Sequence, residues 1–173
     1  YCATCDGPLF ADKTVAVAGA GDSGITEALA LARIASKVVV LEYLPAPKAS
    51  KVLQERAQAE PKITIQCATK IEAVVGGEQM TGLEIEDRST GEKRRLDADG
   101  LLVRIGLIPN TQFLKGVLDL TPAGQIPVNE NMETAIPGIF AAGDVREHSP
   151  MQISTAVGDG VCAAMALGRY LEV

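Results

Sequence analysis

Lys13-Thr14-Val15-Ala16-Val17-Ala18-Gly19-Ala20-Gly21-Asp22-Ser23-Gly24 is the stretch that decides the fold. Its first half is an apolar, β-branched run that reads as a buried strand. The run leads directly into glycines. Residues 22–36 then carry Ile25, Leu29 and Ala32 at helical spacing. Strand, glycine-rich turn and helix, in that order, form the setting in which G-x-G-x-x-G has physical meaning. Gly19 permits the tight turn, Gly21 lets the backbone approach a pyrophosphate, and Gly24 lets the helix pack closely on the strand. Amides of the first helical turn, at Asp22 and Ser23, would face the phosphates. The bland alternative, an ordinary strand-to-helix turn, stays open at this point.

Outward from the turn, Val38-Val39-Val40-Leu41 is a second buried strand that closes on Glu42, 18 residues beyond Gly24. A carboxylate there suits the hydroxyls of an adenosine ribose and repels a 2′-phosphate, which favours NADH over NADPH. A solvated glutamate at a strand end is the plainer reading. Pro45 and Pro47 break the chain, residues 48–59 read as a helix, and residues 63–65 as a third strand. This alternation predicts an α/β fold with a Rossmann-like parallel sheet and right-handed crossovers. Residues 70–75, 80–87 and 93–96 predict an antiparallel β-meander instead. Residues 100–105 read as one more apolar strand, and Pro109-Asn110-Thr111 ends it. The expected division is a nucleotide-binding domain over 1–113, a linker over 114–127, and a further segment over 128–173. In that segment, residues 138–142 read as a short strand running into Gly143-Asp144. Residues 149–171 read as a long helix weakened by Gly158 and Gly160.

Composition narrows the function classes. With 47% apolar and 22% charged residues in 173, the chain can bury a core without staples. A formal net charge of -6 speaks against binding a phosphate backbone, so no nucleic-acid partner is expected. Aromatics at 3% and no Trp speak against base stacking. No apolar run reaches membrane-spanning length, so no membrane partner is expected. Four cysteines do not make a disulfide scaffold, and a cytoplasmic setting follows as the expectation.

Cys2-Ala3-Thr4-Cys5 reads as a redox dithiol, as half of a zinc site, or as an inert pair. Zinc needs further ligands, and the remaining candidates, Cys67, Cys162 and His148, are scattered, so no metal is expected. Cys67 and Cys162 are expected to be buried structural cysteines. A redox pair needs two sulfurs close enough to bond and one low-pKa thiolate. Asp6 follows directly and is placed to move a thiol proton, although an ordinary exposed aspartate has the same spacing.

The combination of Cys2-Ala3-Thr4-Cys5-Asp6-Gly7, the glycine-rich turn, and Gly138-Ile139-Phe140-Ala141-Ala142-Gly143-Asp144-Val145 resembles the low-molecular-weight thioredoxin reductases. It is still more similar to their relative, the flavoprotein subunit of alkyl hydroperoxide reductase. Cys5-Asp6-Gly7-Pro8-Leu9-Phe10, Leu41-Glu42-Tyr43 and Ile105-Gly106-Leu107-Ile108-Pro109-Asn110-Thr111 carry that second likeness. The resemblance implies a pyridine nucleotide-disulfide oxidoreductase with FAD and NADH as cofactors, NADPH being disfavoured. It implies that residues 128–173 are the C-terminal part of a second, FAD-binding Rossmann-like domain. Electrons would pass from nicotinamide to flavin, to the cysteines, and on to a disulfide of a thioredoxin-like or peroxiredoxin-system partner. Cys5 would lie nearer the flavin, Cys2 would attack the partner, and Asp6 would be the acid-base group. Ile105 and Gly106 would border the pyridine nucleotide. Gly143, Asp144, Gln152 and Ile153 would contact FAD. Apart from the resemblance, the apolar positions of the last segment lead to the expectation of a homodimer, or of docking of its helix onto the nucleotide-binding domain.

Departures from the family pattern are specific. Glu42-Tyr43-Leu44 stands where NADPH-dependent relatives carry a His-Arg-Arg cluster, Met151 where a basic residue is usual, and Arg104 where a smaller or neutral one is usual. The family's first FAD half precedes the cysteines, and this chain carries a single G-x-G-x-x-G. The chain alone is therefore expected neither to hold FAD tightly nor to turn over, and to expose Ile139, Phe140, Ile153 and Val161. Two rivals compete. A ferredoxin-dependent relative is opposed by the glycine turn and Glu42. A non-catalytic nucleotide-binding or redox-sensing module is opposed by the cysteine pair and Gly143-Asp144.

Overall fold

The computed structural model describes residues 3–172. The chain divides into two compact units, Tyr1–Gly106 and Leu107–Val173. The first opens with α1 (Ala3–Asp6) and a 3-10 turn (Gly7–Phe10) started by Pro8. It continues through β1 (Thr14–Ala18), α2 (Asp22–Leu31), β2 (Lys37–Leu41), α3 (Lys51–Gln58) and β3 (Ile63–Gln66). β4 (Thr69–Gly76), β5 (Met80–Asp87), β6 (Lys93–Asp97) and β7 (Gly100–Val103) follow. β3, β2, β1 and β7 form a parallel sheet in that order, and β4, β5 and β6 form the antiparallel meander.

The central strands β1 and β2 carry continuous apolar runs, over residues 15–18 and 38–41, because both faces of the sheet are covered there. Side chains alternate between those faces. Val15, Val17, Val38 and Val40 pack under Ile25, Ala28 and Leu31 of α2. Ala16, Val39 and Leu41 point the other way, onto Leu83 and Ile85 of the meander. The result is three layers, helices, parallel sheet and meander, as the alternation of patterns predicts. The helices are shorter than their apolar pattern. α2 stops at Leu31, and turns through Arg33 to Ser36 carry the chain to β2, with Ser36 donating its amide to the Lys13 carbonyl.

The second unit holds a 3-10 turn (Gln112–Leu114), another at Gly143–Val145, and α4 (Ile153–Tyr170). Its core gathers Leu118, Ile126 and Ala141. Residues 114–127, expected as a linker, are thus packed rather than free, and Thr111 is buried with its hydroxyl donating to the Gly124 carbonyl at 2.5 Å. The break falls after Gly106, whose φ of +104° turns the chain. Residues 138–142 do not form the expected strand. They make a single antiparallel bridge, Glu133 to Phe140. α4 begins at Ile153 because Met151 has a left-handed φ of 56°, outside right-handed helix geometry. Within α4, Asp159 and Ala166 are buried, while Ile153 is 88% and Val161 55% exposed. Ile139 is exposed too, whereas Phe140 is half-buried against the edge of Tyr170.

The glycine-rich turn is shaped by two close approaches. Gly19 has φ +102°, and a Cβ there would run into the Arg104 carbonyl oxygen. A Cβ on Gly24 would overlap the Gly19 carbonyl oxygen, so only glycine lets α2 sit this close to the turn. Gly21 is different: it is the N-cap of α2 with φ -80°, and nothing lies within 4 Å of its Cβ position. Gly24→Ala should therefore lower stability by about 1–3 kcal/mol, and Gly21→Ala should change it by less than about 0.5 kcal/mol. Urea unfolding of both variants checks this; equal losses would contradict the packing described.

Candidate functional site

The sequence-predicted nucleotide-binding residues converge at the C-terminal edge of the parallel sheet, where open α/β folds place their ligands, whereas Cys5 and Asp6 stand apart on α1. Gly19, Gly21, Asp22, Ser23 and Gly24 form the turn between β1 and α2. Ile105 and Gly106 leave β7 beside it, Ile105 being 75% exposed. The Arg104 amide donates to the Ala18 carbonyl at 2.7 Å and holds that exit against β1. Asp22 and Ser23 are exposed. The Asp22 carboxylate accepts the Ser50 amide at 2.6 Å, so it also ties down the start of α3.

Glu42 is buried, 8% exposed, which a solvated strand-end glutamate is not. Its Oε2 accepts the Ala20 amide at 2.7 Å and its Oε1 accepts the Leu44 amide at 2.9 Å. One carboxylate thus fixes both the glycine turn and the segment after β2. Each oxygen keeps a further acceptor direction. The adjoining Tyr43 is half-exposed and carries the Arg88 guanidinium 3.7 Å above its ring centroid. Arg88 Nη1 also donates to the Tyr43 carbonyl at 2.8 Å. Arg88 comes from the loop after β5, 45 residues away. No spacing rule leads to it.

Cys5 and Asp6 stand exposed on α1. Cys2 lies outside the described residues. α1 packs on α2, and the Ala3 amide donates to Glu27 Oε2 at 3.1 Å. Asp6, Leu9, Phe10, Leu31 and Leu102 border a cavity of about 240 Å³ next to this helix. Cys67 is half-buried, and burial followed by the charge of Glu42 pushes its thiol pKa up, which suits an inert cysteine. Cys162 is exposed on α4 rather than buried, on the flank of the side that carries Asp159 and Ala166. Among the described residues, no cluster of His, Cys, Asp or Glu could hold a metal ion, and no helix is long and apolar enough to cross a membrane.

In the second unit, Gly143 is buried with φ +80° at the start of its turn. Asp144 is exposed, and among the described residues nothing hydrogen-bonds its carboxylate. It borders a cavity of about 270 Å³ with Leu107, Ile108, Pro109, Gln125 and Met151. Gln152 caps α4 and Ile153 opens it, both exposed. The turn is held by a partly buried ion pair that the spacing did not suggest. Arg146 donates Nε to Asp159 Oδ2 at 2.5 Å and Nη2 to Oδ1 at 2.9 Å. Asp159 Oδ2 also accepts the Gly143 amide at 3.1 Å.

Hydrogen bonding to Arg146 holds the Asp159 carboxyl below the usual aspartate range, with burial opposing and the Gly143 amide assisting. A lowered native pKa stabilises the fold above the unfolded value of about 3.9. That contribution fades as pH falls below it, through the lowered native value. Asp159→Asn should therefore be less stable at neutral pH and lose less stability on acidification below about pH 4 than the parent. Urea midpoints measured across that range check it; parallel curves would contradict it.

Comparison with known proteins places the chain in a family. Residues 1–160 match the family described as pyridine nucleotide-disulphide oxidoreductase. The chain is 42% identical over 171 residues to an alkyl hydroperoxide reductase protein of Staphylococcus epidermidis, covering 99% of this chain and 34% of that protein. It is 41% identical over 171 residues to a Bacillus subtilis protein named NADH dehydrogenase, with the same 99% and 34% coverage. Among solved structures it is similar to thioredoxin reductase from Streptococcus pyogenes, with a TM-score of 0.91 and 37% identity over 99% of this chain and 56% of that one. The chain thus spans about a third of the length of these curated relatives. With a family match over residues 1–160 and curated relatives about 42% identical across nearly the whole chain, the chain belongs to the pyridine nucleotide-disulfide oxidoreductases.

Proposed function

We propose that this chain is the nucleotide-binding and dithiol-bearing part of a flavin-dependent disulfide reductase that draws on NADH. One observation carries the proposal. Cys5 and Asp6 stand exposed on α1, which packs on α2, the helix whose N-terminus forms the glycine-rich turn. A dinucleotide fits that turn: Gly21 leaves open space where any side chain would intrude, and the amides at the N-terminus of α2 follow it. The buried Glu42 carboxylate keeps acceptor capacity for ribose hydroxyls and repels a 2′-phosphate, which supports NADH over NADPH.

Gly143, Asp144, Gln152 and Ile153 would hold part of FAD. The exposed, unengaged Asp144 carboxylate at the rim of an apolar cavity fits a polyhydroxyl chain. FAD, when bound, supplies two-electron exchange between a nicotinamide and a disulfide. The remaining chemistry falls to the chain's own side chains. In the reduced enzyme, the Cys2 thiolate attacks a partner disulfide, forming a mixed disulfide and releasing one partner thiolate. The Cys5 thiolate then attacks Cys2 sulfur, forming the Cys2–Cys5 disulfide and releasing the second partner thiolate. The dithiol is oxidised by two electrons and the partner disulfide is reduced by two. Asp6 relays protons to the departing sulfurs. A thioredoxin-like or peroxiredoxin-system protein is the proposed partner. A homodimer is the proposed assembly of the complete protein, in which the exposed Ile153, Val157, Val161 and Met165 of α4 are covered by the rest of the FAD-binding domain or by the partner subunit.

Assayed in the complete flavoprotein, NADH should exceed NADPH in kcat/KM for protein-disulfide reduction. Cys2→Ser should abolish that reduction while flavin reduction by NADH continues. Full turnover by Cys2→Ser would overturn the dithiol assignment, and a preference for NADPH would overturn the role given to Glu42.

A further inference from the structure

Glu27 lies within α2, and its side chain is only 20% exposed. Its two carboxylate oxygens face different elements. Oε2 accepts the Ala3 amide at 3.1 Å, and Oε1 accepts Arg104 Nη2 at 2.5 Å. The Ala3 amide belongs to the peptide bond that joins Ala3 to Cys2, inside the cysteine motif. Arg104, equally shielded at 20% exposure, directly follows β7, and its carbonyl lies against Gly19 of the nucleotide turn. One carboxylate therefore binds the dithiol helix, the glycine-turn helix and the end of β7 together.

The chemistry of this arrangement exceeds what packing requires. A neutral glutamine could also accept the Ala3 amide. A carboxylate places a negative charge on the backbone of the cysteine motif, at the Ala3 amide, and a negative charge near a thiol disfavours thiolate. The Arg104 guanidinium cancels that charge at ion-pair distance. The two side chains are 77 residues apart in sequence and meet only in the fold.

We propose that Glu27 and Arg104 act as positioning residues for the Cys2–Cys5 dithiol, Glu27 anchoring α1 through the Ala3 amide and Arg104 setting the local charge that decides how reducing the dithiol is. This rests on the dithiol reading given above. Loss of the Arg104 charge leaves the carboxylate uncompensated, disfavours the reduced form, and makes the dithiol a stronger reductant. Loss of the Glu27 charge leaves a cation and does the opposite.

The test equilibrates the 173-residue chain with glutathione redox buffers at pH 8 and measures the fraction of Cys2–Cys5 disulfide. Arg104→Gln should shift the exchange constant towards disulfide by about threefold to tenfold, and Glu27→Gln should shift it by a similar factor towards dithiol. Arg104→Lys should remain within about twofold of the parent, as should the double variant Glu27→Gln/Arg104→Gln, whose charges are again balanced. Far-UV circular dichroism confirms folding. If a single variant does not fold, the lysine and double variants still decide between a charge effect and a packing effect. Same-direction shifts in the two single variants, or a double variant as far displaced as either single, would overturn the proposal while leaving the dithiol reading intact. A parent chain that forms no reversible Cys2–Cys5 disulfide would overturn the dithiol reading itself, and this proposal with it.

Discussion

The Glu42 carboxylate is the interaction on which the nucleotide turn depends. It sits at the end of β2, buried, and takes one backbone amide on each oxygen, Ala20 from the glycine turn and Leu44 from its own side. Hydrogen bonds to a charged acceptor are among the stronger ones a fold has, and a buried carboxylate left without them costs on the order of several kcal/mol. Glu42 is therefore a structural tie as well as a candidate ribose partner. The turn it holds cannot drift from β2. The Ala20 carbonyl in turn accepts the amides of Lys48 and Ala49, so the approach to α3 is tied to the same point.

The sheet behind the turn explains why such precision is possible. Val15, Val38 and Val40 are fully or nearly fully buried under α2, and Val39 is fully buried under the meander. A sheet covered on both faces has little room to flex. Beyond the end of β7, Arg104 pairs with Glu27 of α2. In the second unit Asp159 pairs with Arg146. Each pair joins a loop bearing candidate site residues to a helix. Asp159 also ties the Gly143 turn to α4 directly, through the Gly143 amide.

What the sequence made legible follows from the range of the interactions. The strands and the glycine turn declare themselves in local patterns; Gly19 has a positive φ, Gly24 packs against the Gly19 carbonyl, and Gly21 has open space at its Cβ position. The placement of Glu42 was legible, but its burial was not, because that depends on the Ala20 amide 22 residues earlier. Arg88 on Tyr43 and Arg104 on Glu27 join elements 45 and 77 residues apart, and no periodicity points from one partner to the other. Two local patterns misled. The apolar run ending at Ala142 has strand composition but makes one bridge, and the apolar period leading into α4 passes through the left-handed Met151 before helix geometry can begin. Composition reports burial tendency, whereas a strand also needs a neighbour with which to pair.

The central claim is that a pyridine dinucleotide docks on the Gly19–Gly24 turn against the buried Glu42. Backbone amide NMR of the chain titrated with NADH tests it most directly. The account predicts saturable shifts concentrated at Gly21, Asp22 and Ser23, with Ala20 and Leu44 following because their amides are bound to Glu42. Saturating shifts that spare this turn and cluster elsewhere, or no saturable shifts at all, would contradict it.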